Sequence, residues 1–426
     1  MAIGAACVWE VRTTGNDTNG GGYAGGGTDW SQQDAAQYSV TDGVTAGTTT
    51  ITSATANFGT DIVGNVMYVQ GGTGSVTAGW YQIISRTNAT TIVVDRSTGL
   101  TAGTGVTLKI GGAFATPGRL SNLLATGNIA WVKAGTYTIT TSTVGPSGPY
   151  YQSSNIAAVV EGYNSTRGDR STTQPELNAG TITNVILWRV IGTNAGFSFI
   201  NLKANGNTQT GVTGFSYDSS ASLASYYCCA INCVTGFSNL NTISCVADTC
   251  SGTAFSSGIH IDCYAVSCVT GFSTIRAINC IAKTCSGAGF SGSGQTDQYS
   301  YCIADSCVDG FTNSSIHASA CIAVNCTRGF RSTVGTTIGQ LTDCAGWNNT
   351  TNVSGGLLRN FNFQSLAATP FVSSTDYTIN TTYATTLQRS PFLTKSWIRH
   401  TGAVPPVAGG GSGGIPVARG MHGGMR

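Results

Sequence analysis

The stretch that decides the fold is Cys245-Val246-Ala247-Asp248-Thr249-Cys250, which is followed by Phe255. The phrase Cys-x-Ala-x-x-Cys occurs six times between residues 228 and 330, and each copy closes on Phe or Gly-Phe. The six phenylalanines are spaced by 18, 17, 18, 21 and 19 residues. A unit this short cannot bury an apolar face alone, so successive units must stack and share one core.

The composition of the repeat indicates strands rather than helices. Its Gly, Ser, Thr, Val and Ile residues favour strand and turn, helical repeats need longer units, and the Leu ladder of a leucine-rich repeat is absent. Two degenerate copies lie upstream, at Gly196-Phe197 and Gly214-Phe215. The sequence therefore predicts an all-β chain built as a right-handed parallel β-helix, a solenoid, with a small inserted β module near the N-terminus.

Stacking places equivalent residues of neighbouring coils about 4.8 Å apart, so each repeat position becomes a ladder along the axis. Alternation puts Cys245 and Ala247 on the same side as Ile243, and we take that side as the core. A small polar ladder beside the second Cys is expected to form turn hydrogen bonds: Asn232, Thr249, Ser267, Thr284, Ser306 and Asn325. The Cys and Phe ladders are expected to fill the core at these positions: Cys245, Cys250, Cys263, Cys268, Cys280, Cys285, Cys302, Cys307, Cys321 and Cys326, with Phe237, Phe255, Phe272, Phe290, Phe311 and Phe330.

The same alternation predicts an apolar stripe on the outside of the solenoid. It comprises Val246, Tyr264, Ile281, Ile303 and Ile322. Monomers rarely leave such a stripe in contact with water. One interpretation is that a bulge shifts the register and turns these side chains into the core; the other, which we favour, is a subunit interface.

Charge and cysteine usage limit the partners. Only 9% of the residues are charged and the net charge is +2, so there is no broad electrostatic footprint for nucleic acid or an anionic membrane. The start, Met1 to Cys7, lacks the charged and apolar segments of a signal peptide, and we expect folding in the cytoplasm with reduced thiols. The cysteines recur at ladder positions, which favours packing over a zinc site, and the Cys-x4-Cys phrase contains no His, so no metal or cofactor is expected.

The chain divides into four parts by composition. Residues 1–40 predict a strand, a Gly-rich loop and a cap, and residues 41–110 predict an inserted antiparallel β module without the repeat. Residues 111–389 predict the β-helix. Residues 390–426 are rich in Gly and predict a flexible tail. No apolar run predicts a membrane span.

A family resemblance rests on Trp131-Val132-Lys133-Ala134-Gly135-Thr136-Tyr137, which is preceded by an Asp-containing glycine loop and followed by the coils. This opening resembles that of pectate-lyase-like β-helix proteins, especially bacteriophage tailspikes, fibres and other virion parts. The resemblance implies a homotrimer, contacts with other virion subunits and attachment to a host surface glycan. This fold hosts lyases, hydrolases and passive binders alike, so it does not by itself indicate a reaction.

The best catalytic constellation is the fourth repeat position, which places Lys283 one coil from Asp305 and two from Asp248. We favour a surface ion pair as the explanation of these residues, with a lyase or hydrolase site as the alternative. His260 and His317 are expected at exposed outward positions, and the tripeptide Arg167-Gly168-Asp169 arises often by chance in turns. The sequence therefore favours a non-enzymatic structural or adhesive component of a virion or similar extracellular assembly; the alternative is a polysaccharide lyase or hydrolase acting on host glycans.

Overall fold

The computed structural model describes residues 3, 6–99, 101–141, 151–154, 156–191, 196–218, 224–274, 276–292, 298–314, 316–333, 339–355, 358–371 and 377. The predicted tail, residues 390–426, lies outside the described residues. The described chain is an all-β parallel β-helix made of three parallel sheets, with a closed antiparallel barrel inserted near the N-terminus. This confirms the predicted fold class.

Each complete coil contributes one strand to each sheet, and the strands of successive coils pair in parallel and in register; at the edge of sheet 1, Gly22–Tyr23 instead pairs antiparallel with Val8–Val11. Sheet 1 contains Gly22–Tyr23, Val8–Val11, Ile129–Lys133, Val159–Tyr163, Ser198–Ile200, Ala224–Tyr226, Asn241–Ile243, Ile259–Ile261, Arg276–Ile278, Gln298–Ser300, His317–Ser319, Gly339–Thr342 and Leu358–Phe361. Sheet 2 contains Thr136–Thr138, Glu176–Asn178, Lys203–Asn205, Cys229–Ile231, Val246–Asp248, Tyr264–Val266, Ile281–Lys283, Ile303–Asp305, Ile322–Val324, Ala345–Trp347 and Gln364–Ser365. Sheet 3 contains Tyr151–Ser154, Ile186–Ile191, Thr213–Tyr217, Thr235–Ser238, Thr253–Ser256, Thr270–Ser273, Ala288–Ser291, Asp309–Asn313, Arg328–Ser332 and Thr351–Ser354.

Single left-handed residues turn the chain at two corners of each coil. Thr249 and its ladder partners have φ between 52° and 57°, and so do Ser244 and its partners at the corner between sheets 1 and 2. A β-branched residue such as Thr is disfavoured in this region, so the stacked coils hold it there. The small polar ladder thus forms the backbone turn at one of these corners. Its members are Asn232, Thr249, Ser267, Thr284, Ser306 and Asn325.

The turn at Ser244 also makes the predicted inward orientation of Ile243 wrong. Alternation extended through this residue placed Ile243 in the core with Cys245, but the left-handed turn interrupts the alternation. Thr242 is fully buried instead, and Ile243 lies on the outer face, half-buried. Cys245 and Ala247, which follow the corner, are fully buried.

The core is filled by a stack of phenylalanine rings on sheet 3. Neighbouring rings from Phe215 to Phe330 have centroids 4.7 to 4.9 Å apart and interplanar angles of 3° to 7°. Glycine precedes each of these rings except Phe255, which follows Ala254. A Cβ on Gly236 would lie 3.1 Å from the Ala247 Cβ on sheet 2 and 2.5 Å from the Ala254 carbonyl oxygen of the next coil. Phe197, which the sequence predicted to be a degenerate copy of the repeat, lies beside sheet 1 and not in the stack. Trp188 is the aromatic residue that stacks on Phe215 at the start of the column of rings.

His260 is inward and buried, not exposed as the sequence suggested. Its strand Ile259–Ile261 follows a corner, which again shifts the alternation. The ring packs against Phe255 and Phe272, and Nδ1 lies 2.8 Å from the Thr242 hydroxyl. Burial lowers the pKa of His260 to about 4, so the imidazole is neutral in the folded chain. His317 is half-buried at an outer position.

The inserted module is a closed six-stranded barrel formed by Tyr38–Thr45, Thr50–Thr52, Thr91–Val94, Gly79–Asn88, Val66–Gln70 and Gly103–Ile110. It has its own core, which includes Ile51, Met67 and Ile83. Trp80 joins it to the solenoid, because its indole N–H donates to the Asn19 carbonyl and its ring packs edge-on against Phe114. The first solenoid strand, Val8–Val11, precedes the barrel and pairs with Ile129–Lys133.

The described residues contain two short 3-10 helices, Thr60–Ile62 and Pro117–Asn122. The second places Leu120 in the core beside the first coils. Among the described residues, no helix is long and apolar enough to cross a membrane.

Candidate functional site

The predicted catalytic residues lie on the outer face of sheet 2. Strand register pairs Lys283 directly with Asp305, and Val266 stands between Asp248 and Lys283. The coil separations are therefore those expected from the repeat. Asp248 is half-buried and accepts a hydrogen bond of 2.7 Å from the Thr249 hydroxyl.

Asp305 is buried and its carboxylate is hydrogen-bonded on both oxygens. Oδ1 accepts from the Ser306 hydroxyl at 2.8 Å and from the Asn325 amide at 2.9 Å. Oδ2 accepts from the Tyr377 hydroxyl at 2.7 Å. Only 4% of Asp305 is exposed. A carboxylate held in this way stabilises the fold, and a substrate could reach it only after Tyr377 moved away.

Tyr377, from a later part of the sequence, covers the Asp305 carboxylate. The Lys283 ammonium lies 5.6 Å from the centre of its ring, within the range of a cation–π contact. Burial, and then the charge of Asp305, raise the pKa of Tyr377, so its hydroxyl remains a donor. The same causes raise the pKa of neighbouring Tyr264 to about 12. The arrangement around Asp305 is a buried polar cluster that closes this carboxylate off from solvent, whereas Asp248 and Lys283 are half-buried.

The apolar stripe points outward, but the chain itself covers three of its five residues. Ile281, Ile303 and Ile322 are buried in a cluster with Phe371 and Tyr377. Leu366 packs against the same cluster. For these three isoleucines the predicted subunit interface is therefore wrong, and so is the alternative of a flipped register. The sequence reasoning missed that Leu366, Phe371 and Tyr377, which follow the last coil, lie over sheet 2.

The other two residues of the stripe are less buried. Val246 and Tyr264 are half-buried, and Tyr264 packs against the same cluster. Their side chains face outward on the same ladder as Ile281. A subunit interface at Val246 and Tyr264 stays a prediction.

Sheet 3 carries a polar outer face that the sequence reasoning overlooked. The residue after each core phenylalanine is outward, and strand register aligns these residues into one ladder: Ser216, Ser238, Ser256, Ser273, Ser291 and Thr312. Ser216 and Thr312, at its ends, are buried, and the four serines between them are half-buried. Ion pairs lie at both ends of the ladder. Arg189 pairs with Asp218 at one end, and Asp309 pairs with Arg328 and Arg331 at the other. The recurring Ser after Phe was the signal for this face in the sequence.

A second buried charge cluster joins the first coil to the loop that follows Tyr163. Glu10 is fully buried and accepts from Arg12 Nε at 2.9 Å and from Arg167 Nε at 2.8 Å. Asp169 accepts from backbone N–H groups of its own loop, including that of Ser165 at 2.8 Å. Arg167 and Asp169 thus hold the loop, and the Arg-Gly-Asp tripeptide is structural.

Glu161 is another carboxyl that the sequence did not single out. It lies on the outer face of sheet 1, paired in register with Trp131. Only 5% of it is exposed, and Arg170 Nε lies 3.4 Å from Oε1. Burial raises the pKa of Glu161, which Arg170 opposes.

No protein-family model and no curated protein matches the chain. Among solved structures, the Agl-KA catalytic domain matches with a TM-score of 0.35 and 9% identity, over 85% of this chain and 84% of that chain. The catalytic unit of the thermostable GH87 α-1,3-glucanase from Streptomyces thermodiastaticus strain HF3-3 matches with a TM-score of 0.32 and 9% identity, over 78% and 88%. Pectate lyase Pel9A matches with a TM-score of 0.30 and 14% identity, over 71% and 85%.

These likenesses concern the fold alone, the right-handed parallel β-helix. None of the three is named as a phage protein. They carry no argument about a substrate or a reaction of this chain.

Proposed function

We propose that the chain is a non-enzymatic structural or adhesive component of a virion or similar extracellular assembly, in which the β-helix is a rigid rod for assembly and for attachment to surfaces or glycans. The observation that carries the proposal is the state of Asp305. The best candidate for a catalytic carboxylate is buried and hydrogen-bonded to Tyr377 of the same chain. This position stabilises the rod rather than serving a reaction.

The outer face of sheet 3 is the part of the rod that we assign to attachment. The four half-buried serines of its ladder, Ser238, Ser256, Ser273 and Ser291, offer a regular row of hydroxyl groups, which donate and accept hydrogen bonds and carry no charge between the ion pairs at either end. Sugar hydroxyls are recognised by such groups. Folding in a host cytoplasm, a homotrimeric state and contact with other virion subunits belong to the same proposal.

A polysaccharide lyase or hydrolase is the second candidate, and Glu161 is the observation that favours it. Its carboxyl is buried beside Arg170 with a raised pKa, which is a property that glycosidases give to a general acid. Trp131, in register with Glu161, would provide an aromatic surface for a sugar ring.

Polysaccharide binding and cleavage, measured in the same reactions, separate the two candidates. The full chain is incubated with immobilised neutral and acidic polysaccharides, and retained protein and new reducing ends are both measured. Retention without cleavage, weakened by the double substitution Ser256→Glu and Ser273→Glu but not by Thr104→Glu on the barrel, supports the proposal. Cleavage that Glu161→Gln abolishes overturns it in favour of the enzyme, and neither retention nor cleavage overturns glycan attachment.

A further inference from the structure

The hydroxyl ladder on the outer face of sheet 3 leads to an arginine. Strand register continues the ladder from Thr312 to Arg331, and from Arg331 to Ser354. These three residues lie on consecutive coils, so their backbones are about 4.8 Å apart from one coil to the next. Arg331 therefore stands between two hydroxyl side chains, at one end of the face that we assign to attachment.

The charges at this end are not balanced. Arg328 and Arg331 share one carboxylate, that of Asp309: Arg328 Nη2 and Arg331 Nη1 each lie 3.0 Å from Asp309 Oδ2. The arginine side chains are 34% and 38% exposed, whereas the side chain of Asp309 is 10% exposed. Two guanidinium groups on one carboxylate leave a surplus positive charge in this cluster, and that charge lies at the surface.

The Asp309 carboxylate does not depend on Arg331. Arg328 alone binds both of its oxygens, since Nε donates to Oδ1 and Nη2 donates to Oδ2. Asp309 and Arg328 are also in register on neighbouring strands. The carboxylate thus keeps a partner on each oxygen when Arg331 turns away, and Arg331 is the arginine that is available to an external anion.

The two hydroxyl groups in register with Arg331 have no hydrogen-bond partner within the part of the chain that the structure describes. Both oxygens are buried, and Thr312 as a whole is only 8% exposed. A buried hydroxyl without a partner costs free energy, and such groups are few in folded proteins. Thr312 and Ser354, one on each side of a surplus cation, therefore point to an acceptor that the chain itself does not supply.

We propose that Arg331, Thr312 and Ser354 bind the oxyanion group of an acidic sugar, which is a carboxylate or a sulfate ester. The guanidinium of Arg331 turns from Asp309 to the anion, and the hydroxyl groups on either side donate to the anion's oxygens. Hydrogen bonds to an ionised acceptor are stronger than those between neutral groups, so the new bonds offset the one that Arg331 gives up. The bound anion also neutralises the surplus charge.

The assignment rests on the proposed function and adds to it the class of glycan. The uncharged hydroxyl groups from Ser238 to Ser291 lie along a neutral part of the polymer, and the anion site takes an acidic residue beyond them. At the opposite end of the ladder Arg189 pairs with a carboxylate of its own, that of Asp218. That pair is neutral, so the surplus charge of the ladder lies at the Arg331 end.

Saturation-transfer NMR on the full chain measures the site with defined sugars. Glucuronate and glucose sulfate are the acidic probes and glucose is the neutral one, all at the same concentration and ionic strength. Arg331→Gln removes the cation, whereas Thr312→Val and Ser354→Ala each remove one hydroxyl group and keep the charge. Arg276→Gln is the matched control, because it removes an exposed arginine of sheet 1 with the same change in net charge. Circular dichroism verifies that each variant is folded.

The expected result is a transfer to at least one acidic sugar that exceeds the transfer to glucose several-fold. Arg331→Gln should reduce it to the level of glucose, the hydroxyl variants should weaken it, and Arg276→Gln should leave it unchanged. The acidic probe with the stronger signal identifies the acid group that the site takes.

Equal transfer to acidic and neutral sugars in the wild type would overturn the inference. So would an excess that survives Arg331→Gln, or one that Arg276→Gln reduces as much, since either means that the anion is held elsewhere or by net charge alone. Both results leave the proposed function standing, because retention of a neutral polysaccharide that depends on Ser256 and Ser273 measures the hydroxyl ladder separately.

Discussion

The outer faces of sheets 2 and 3 share the same backbone ladder but differ in what lies on them. Sheet 2 presents Ile281, Ile303 and Ile322, and a later segment of the chain covers them. Sheet 3 presents a ladder of serines with no comparable apolar cluster among the described residues. The difference shows that the backbone of a coil does not decide whether a face is buried. Side-chain chemistry decides it, because an apolar ladder gains free energy by leaving water and a hydroxyl ladder does not.

The largest expected effect comes from placing a charge under the cover of sheet 2. Ile303→Asp should lower the free energy of unfolding by about 3 to 5 kcal/mol, because the carboxylate would lie unpaired beneath Phe371 and Tyr377. Ser256→Asp, the matched change on sheet 3, should cost less than about 0.5 kcal/mol. Urea unfolding followed by circular dichroism measures both. Equal costs would mean that the cover over sheet 2 contributes nothing.

The buried His260 imidazole, inside the solenoid, should make the stability of the chain depend on pH. The pKa of His260 is about 4 in the folded chain and near 6.5 when unfolded, so the unfolded chain binds the proton more tightly. Its contribution is fully present above pH 6.5 and is lost as the pH falls towards 4, by roughly 3 kcal/mol in all. In His260→Phe, the free energy of unfolding should therefore differ less between pH 4.5 and pH 7 than it does in the wild type. Unfolding curves of both proteins at the two pH values measure this.

A result in which His260→Phe keeps the full pH dependence would assign that dependence to other groups. Since this effect belongs to the coil itself, it should appear equally in a chain whose cover is weakened by Ile303→Ala, a change that adds no titratable group. Additivity of the two changes would separate the stability of the coil from that of the cover.

A smaller effect is expected from the hydrogen bond that fixes the cover. Tyr377→Phe removes the donor to Asp305 Oδ2 and should cost about 1 to 3 kcal/mol, because a buried carboxylate loses a partner. In an Asp305→Asn background the same change should cost less. Four unfolding measurements complete this double-mutant cycle, and a coupling energy near zero would rule out the bond as a source of stability.

The smallest effect on stability is expected at the end of the stripe that the described segment does not cover. Val246→Lys should change the free energy of unfolding by less than about 0.5 kcal/mol if Val246 faces solvent in a monomer. If Val246 and Tyr264 lie in a subunit interface, the substitution should instead lower the molar mass in solution. Light scattering on the wild-type and variant proteins distinguishes the two, and a wild-type monomer would contradict the interface.

The sequence was most informative where structure follows from local repetition. The spacing of the phenylalanines and the Cys-x-Ala-x-x-Cys phrase were enough to predict the stacked coils, because a short unit with a fixed apolar pattern has few ways to bury it. The same pattern placed Lys283 next to Asp305, and the structure has them in register. Reasoning failed at the corners, since one left-handed residue such as Ser244 resets the alternation and turns Ile243 out.

By itself, then, the sequence determined the solenoid, its inserted β module and the registers of its ladders, all of which depend on contacts between neighbouring units. Only the tertiary structure decided that His260 faces the core, that Arg167 reaches Glu10, and that Tyr377 covers Asp305 from 72 residues away. The physical reason is the range of the interactions. Alternation and period act between adjacent residues and adjacent coils, whereas the path of a returning segment depends on which distant surface offers apolar area and an unfilled hydrogen bond.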